Sequence, residues 1–262
     1  MLIAHVSDLH IGRDAKTDRA NRLLAAALED SGVATVAVTG DVTHRGRHAE
    51  LDRFEDFFRR LIAQGRVVVV PGNHDRLNDG VADRIMPGGR VAIASRPGLH
   101  LVRFDSTGPH NRRLISGHGL MTHADLSAVD SALGSAPEGA LTVLALHHHV
   151  HPLPPDELSE MLSNLLGWPN CAELLLGNEL LERIRGRCDL LLHGHRHVPS
   201  EMVMGEASDR PLRILNAGST PELGRFRVLS SRAGRIGAES WVELDGDGST
   251  PFAGVLAGRA IA

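Results

Sequence analysis

Five short clusters of aspartate, asparagine and histidine recur along the 262-residue chain, each where an apolar run ends. In order they are Asp8 with His10 in SDLHIG, Asp41 in TGDVTHRG, Asn73 with His74 in PGNHD, His147 in LALHHH, and His195 with His197 in HGHRH. Their donor atoms are carboxylate or amide oxygen and imidazole nitrogen, with no thiolate. Such a set suits borderline to hard divalent ions such as manganese, iron or zinc. Alternate side chains of an extended segment share a face, so Asp8-x-His10 and His195-x-His197 can each aim two donors at one centre. Gly40, Gly72 and Gly194 stand beside these clusters and permit tight turns and close backbone approach. Taken singly, an Asp-x-His is usually a polar turn, and a Gly-Asn-His-Asp is usually a loop. Five of them in order, all at strand ends, predict a metal centre.

The elements that must position these residues are legible as periodicity. Leu2–Val6, Val33–Thr39, Val67–Val70, Leu141–Leu146 and Asp189–Leu192 are short apolar runs that read as buried strands. Amphipathic helices lie between them, over Thr17 to Asp30 and over Ala49 to Ala63, with leucine and phenylalanine stripes that belong to a core. Strands alternating with helices imply a largely parallel sheet, and such sheets place their sites at the carboxyl ends of the strands. Pro152 to Asn170 interrupts the alternation and reads as a loop and short helix over the site. Beyond Pro211, the runs Leu212–Leu215, Phe226–Leu229 and Glu239–Leu244 are expected to be antiparallel strands of a second sheet. The expected organisation is one domain over 1–262, with its core in about 1–245 and a tail over 246–262.

Composition narrows the function. Apolar residues make up 42% and charged residues 23% of the chain, the profile of a soluble globular protein. No apolar run reaches the length of a membrane span. The first strand starts directly after Met1 and leads into Asp8, which leaves no room for a secretory signal, so a cytoplasmic address is expected. A net charge of −4 offers no basic field for nucleic acid. Cys171 and Cys188 are too few for a disulfide framework and lack the paired spacing of a zinc site, so burial of both is expected. Sixteen histidines are the one abnormal count, and they fall where metal chemistry would be.

The order D-x-H, GD, GNH[DE], H and GHxH resembles the calcineurin-like metallophosphoesterases over about residues 1 to 220. The resemblance implies an α/β fold of two stacked mixed β-sheets flanked by helices. It also implies two divalent ions (Mn, Fe or Zn): one held by Asp8, His10, Asp41 and His197, the other by Asp41, Asn73, His147 and His195, with Asp41 bridging. GNHD, ending in Asp75, is similar to the branch of class III cyclic-nucleotide and glycerophosphodiester phosphodiesterases rather than to the GNHE of protein phosphatases. Purple acid phosphatases place a tyrosine three residues after the bridging aspartate; here that position is His44, and the chain contains no tyrosine. Where the family commonly has His-His-Pro-Pro, this chain has His147-His148-His149-Val150-His151-Pro152. His147 is preferred as the ligand because it directly follows the strand.

The activity so implied is hydrolysis of a phosphate ester, most naturally a diester, by attack of a metal-bridging hydroxide. His74 would face the leaving oxygen as an acid, and Asp75 would orient it. Arg45 stands where protein phosphatases have the arginine of GDxVDRG, which makes it a candidate contact to a phosphate oxygen. His148 and Trp168 are further candidate substrate contacts, Trp168 because a large aromatic between Gly167 and Pro169 resembles a lid. His44 is expected to be structural or surface. The expected partner is a small-molecule phosphate ester. Alternatives are a monoesterase on a small metabolite or lipid precursor, a nuclease, which the acidic charge disfavours, and a non-catalytic scaffold, which the complete ligand set disfavours. The apolar stretch Phe252 to Leu256 can pack on its own domain or on a partner, leaving a homo-oligomer open.

Overall fold

A computed structural model of the chain describes residues 1–113, 116–153 and 173–244. Trp168, Cys171, most of the Pro152–Asn170 segment and the tail lie outside these described residues.

Two β-sheets stack face to face. The first has five strands in the order β11-β10-β1-β2-β3, the second six in the order β4-β5-β6-β7-β9-β8. In the first sheet, β1 (Leu2–Val6), β2 (Thr35–Thr39) and β3 (Val67–Val70) run parallel, and β10 (Arg225–Arg232) and β11 (Arg235–Glu243) add antiparallel neighbours. In the second, β5 (Leu99–Phe104), β6 (Leu141–Ala145), β7 (Leu190–His193) and β9 (Leu212–Asn216) run parallel, with β4 (Val91–Arg96) and β8 (Ser200–Met204) antiparallel at the edges. Strand alternation divides the side chains between layers. Ile3, Ala37 and Val70 meet Leu101, Val143 and Leu192 between the sheets. Ala4, Val6, Val36 and Val38 face outward and are covered by Leu24 and Leu28 of α1 (Ala15–Glu29), Leu51 and Phe54 of α2 (His48–Phe57), and Leu61 of α3 (Arg59–Ala63). The far face of the second sheet packs on Leu126 and Val129 of α5 (His123–Gly134) and Leu180 and Ile184 of α6 (Gly177–Ile184). The short α4 spans Ala82–Ile85.

The last three expected strands do not share a sheet. The Leu212–Leu215 run pairs in parallel with β7, whereas the two following runs extend the first sheet as β10 and β11. Apolar periodicity reports that a strand is buried, not which edge it joins. The β4–β5 pair and β8 had no counterpart in the sequence reading. In β5 the reason is polar residues at buried and half-buried positions, where His100 Nε2 donates to Ala132 O at 2.9 Å and Arg103 Nε donates to Val69 O at 2.7 Å. These hydrogen bonds make burial tolerable and at the same time break the apolar run. The single helix expected over Ala49 to Ala63 is two, broken at the fully buried Phe58.

Candidate metal centre and active site

The parallel strands of both sheets end at one rim, and each expected ligand lies just past a strand end. The loops there are tied across the sheet: Asp8 N donates to Gly40 O at 3.1 Å and His10 N to Asp41 O at 2.9 Å. Asp8, His10, Asp41 and His195 all have left-handed backbone, with φ of 53°, 44°, 48° and 70°. Only two other described non-glycine residues, Asn78 and Ala233, do so. Strained backbone of this kind persists only where the surroundings over-determine it, and here it coincides with the donor set.

Those donors converge without hydrogens between them. His147 Nδ1 donates to Thr39 O at 2.8 Å, which leaves its Nε2 lone pair 3.0 Å from Asn73 Oδ1 and 3.5 Å from Asp41 Oδ1. Asn73 Oδ1 lies equally close, 3.0 Å, to His195 Nδ1. On the other side of Asp41, its Oδ2 is 4.0 Å from His10 Nε2, which is 3.3 Å from His197 Nε2. His197 Nε2 is in turn 3.8 Å from Asp8 Oδ1. Asp41 therefore stands between two groups of donors. Asp8 Oδ1, His10 Nδ1 and His195 Nε2 are buried without a hydrogen-bond partner among the described residues. Lone pairs aimed at common points, with orphaned buried donors and acceptors around them, fit a cation and little else.

Electrostatics agree. Burial pushes the Asp8 carboxyl up to about 6 and raises that of Asp41, with no arginine or lysine paired to either among the described residues. Burial lowers His10, His147 and His195, keeping these rings neutral and able to donate a lone pair. At His197 burial opposes the charge, but the hydrogen bond to Glu222 and the charge of Asp8 outweigh it and lift the pKa to about 9. The carboxylates around His197 thus favour a positive charge at this point, whether a proton on the ring or, once the ring gives that proton up, a cation at Nε2.

His74 sits beside both groups. Its backbone N–H donates to Asp41 Oδ1 at 2.8 Å, and its ring lies 4.7 Å, centroid to centroid, from that of His10. Nδ1 donates to His44 O at 2.7 Å, which leaves Nε2 as the uncommitted ring nitrogen. Burial lowers its pKa, yet the charge of Asp41 and the bond to His44 O raise it above the ordinary value overall, so the ring favours holding a proton.

Two expected roles are corrected. Asp75 does not orient His74: its buried carboxylate accepts from Gly72 N at 2.8 Å, Thr43 N at 2.9 Å and Thr43 Oγ1 at 2.6 Å, locking the Asn73 loop to the Asp41 loop. The 3-10 turn His74–Arg76 sends adjacent side chains in different directions, and a backbone carbonyl takes the orienting role. His148 is not a substrate contact. It is fully buried, with Nδ1 2.8 Å from Ser106 Oγ and Nε2 2.8 Å from Gly117 O, so both nitrogens are committed to the protein. Arg45 is exposed and lines a cavity together with His44 and His74.

Three residues carry more than the sequence suggested. His44 brings a ring nitrogen within 4.8 Å of donors from His10 and His74. His149 stacks on His195 at 5.7 Å, and burial pushes its pKa down to about 3, making it a neutral wall. Glu222 Oε2 lies 3.0 Å from His197 Nδ1, held by the short helix α7 (Thr220–Leu223). Glu222 lies 25 residues beyond His197, outside any motif, and left no signal in the sequence.

Residues 1–199 match the calcineurin-like phosphoesterases, whose members are metal-dependent phosphoester hydrolases. The chain belongs to this family. The stacked sheets are shared with a dimetal phosphatase from Danio rerio at 14% identity and TM-score 0.62, over 94% of this chain and 99% of that one. A purple acid phosphatase from seeds of yellow lupin, Lupinus luteus, is similar at 10% identity and TM-score 0.61, over 93% of this chain and 53% of that one. A phosphopantetheinyl hydrolase from Mycobacterium tuberculosis is similar at 16% identity and TM-score 0.51, over 84% and 90%. At these identities the likeness is one of fold. The sequence has no match among curated proteins. No helix of the described residues is long and apolar enough to cross a membrane.

Proposed function

We propose that this calcineurin-like phosphoesterase is a dinuclear-metal phosphodiesterase acting on a small-molecule phosphate ester. The observation that carries the reading is the position of Asp41, whose two carboxylate oxygens face different donor groups: Oδ1 toward His147 and Oδ2 toward His10. Asp8, His10, Asp41 and His197 would hold one divalent ion, and Asp41, Asn73, His147 and His195 a second. The oxygen and imidazole donors fit manganese, iron or zinc. Such ions supply Lewis acidity, easing deprotonation of water and offsetting charge on phosphoryl oxygens.

The protein's own side chains supply the rest. Asp8 and Asp41 provide buried negative charge, and Glu222 and Thr39 O fix the rings of His197 and His147. His74 holds a proton at Nε2 and would pass it to the leaving oxygen. Diester rather than monoester preference rests on the GNHD form of the third motif, with Asp75.

The test is a panel on purified protein with added Mn²⁺: bis(4-nitrophenyl) phosphate, 4-nitrophenyl phosphate, cyclic AMP and single-stranded DNA. Metal-dependent turnover of the diester above the monoester is the expected result. Preference for the monoester would replace the diesterase reading, and cleavage of DNA would make the protein a nuclease.

A further inference from the structure

His44 and His74 form one wall of a cavity of about 220 Å³ that opens beside the metal centre, and its other walls are Arg45, Leu77, Asn78 and Arg112. This is smaller than the roughly 300–1,000 Å³ of a whole small-molecule site, a size for one substituent of a ligand. No carboxylate lines it.

The two arginines differ from others placed around this rim. Arg13 is paired with Glu222, Arg76 with Asp83 and Asp105, and Arg90 with Asp125. Arg45 and Arg112 have no ion-pair partner among the described residues. Their backbones are nevertheless held. Arg45 O accepts from Asn78 Nδ2 at 2.7 Å, and Asn78 adopts a left-handed φ of 43° to reach it. Arg45 N donates to Glu50 Oε2 at 2.8 Å. Arg112 ends the 3-10 turn Pro109–Arg112, which Asn111 anchors by accepting from Gly108 N at 2.6 Å and donating to Ser116 O at 2.6 Å. Arg76 joins the two turns, donating to Thr107 Oγ1 at 2.7 Å and pairing with Asp105 at 2.5 Å. Two uncompensated guanidiniums on braced backbone, facing one small cavity, are built to receive an anion.

Which part of a substrate enters follows from His74. Its Nδ1 is taken by His44 O, so Nε2 is the nitrogen left to protonate a leaving oxygen, and the same side chain lines the cavity. Resting on the phosphoesterase reading, we propose that Arg45 and Arg112 form an anion subsite for the leaving group. The preferred substrates are then phosphate esters whose leaving alcohol or phenol carries its own carboxylate or phosphate. A simple diester offers one negative charge, already met by two metal ions, so these arginines add selectivity for a second charge at a fixed distance.

A matched chromogenic pair tests this with Mn²⁺-loaded protein: bis(4-nitrophenyl) phosphate and bis(3-carboxy-4-nitrophenyl) phosphate, which differ by one carboxylate on each leaving group. Wild type is expected to favour the carboxylated ester by about tenfold in kcat/KM, the scale of a partly exposed charge-assisted contact. Added salt should reduce the preference. Arg112→Ala and Arg45→Ala should each bring the ratio of the two kcat/KM values toward one, and Arg112→Lys should retain part of it, since charge survives without the planar fork. Circular dichroism establishes that each variant is folded. Hydrolysis of both esters with the same ratio in wild type and variants overturns the subsite while leaving the phosphoesterase reading intact. Absence of metal-dependent hydrolysis of either ester overturns that reading and the subsite with it.

Discussion

Glu222 Oε2 lies 3.0 Å from Nδ1 of His197, and this contact fixes the imidazole so that Nε2 faces His10 and Asp8. A carboxylate behind a ligating histidine typically accounts for ten- to a hundredfold in metal affinity. Glu222→Gln keeps the shape and removes the charge. It is expected to weaken Mn²⁺ binding by about that factor while leaving the unfolding temperature nearly unchanged, since the contact between the two side chains is exposed. Calorimetric titration of both proteins with Mn²⁺ decides it, and equal affinities would show that His197 needs no orienting carboxylate.

Asp41→Asn addresses the bridging role. A neutral amide between two cations removes a full charge from the point where their repulsion is greatest. The variant is expected to lose metal from both positions together and to lose turnover below detection. Elemental analysis after gel filtration gives the stoichiometry. Retention of two ions per chain with near wild-type turnover would remove Asp41 from the bridging position.

How much of this was legible in the sequence can be read from particular residues. Asp8, His10, Asp41, Asn73, His147, His195 and His197 all fall directly after apolar strands, so strand order alone brings them to one rim. Sheet membership of β10 and β11 was not legible, because alternation reports burial and not pairing partner. Glu222 was invisible for a different reason: it reaches the site from a four-residue helix with no periodicity of its own. His44 and His148 exchanged their expected importance. Ser106 Oγ and Gly117 O claim both nitrogens of His148, whereas His44 turns toward His10 and His74, and contacts of that kind are tertiary.

Gly72→Ala tests how tightly the Asn73 loop is packed on Asp41. A Cβ there would overlap both the backbone nitrogen and Oδ1 of Asp41, and Gly72 N already donates to Asp75 at 2.8 Å. Overpacking of this kind costs about 1–3 kcal/mol, or roughly 2–12 °C in unfolding temperature for a chain of this size. Because Asp41 must move, metal content should fall as well. Gly32→Ala is the control, since nothing lies within 4 Å of its added methyl. A Gly72→Ala protein with wild-type melting and full metal content would show that the loop yields freely.

The sharpest test of mechanism is His74. Its Nδ1 is spent on His44 O, and Nε2 forms no hydrogen bond among the described residues, so the ring has one nitrogen to offer the reaction. If that nitrogen carries a proton to the leaving oxygen, His74→Ala should leave both ions bound, because the backbone N–H that holds Asp41 survives the substitution. It should lower kcat by about a hundred- to ten-thousandfold, the usual range for lost general acid catalysis. The loss should depend on the leaving group. A 4-nitrophenolate departs readily without a proton, whereas an alkoxide from a nucleoside or glycerol does not, so the defect on bis(4-nitrophenyl) phosphate should be much the smaller. Measuring kcat/KM on an aryl and an alkyl diester, with metal content determined in parallel, converts the two losses into transition-state free energies that can be compared directly. Equal losses would assign His74 to general electrostatic stabilisation of the transition state, and loss of an ion would make it a metal ligand, joining His10 and His44 in the donor group that their ring nitrogens already form.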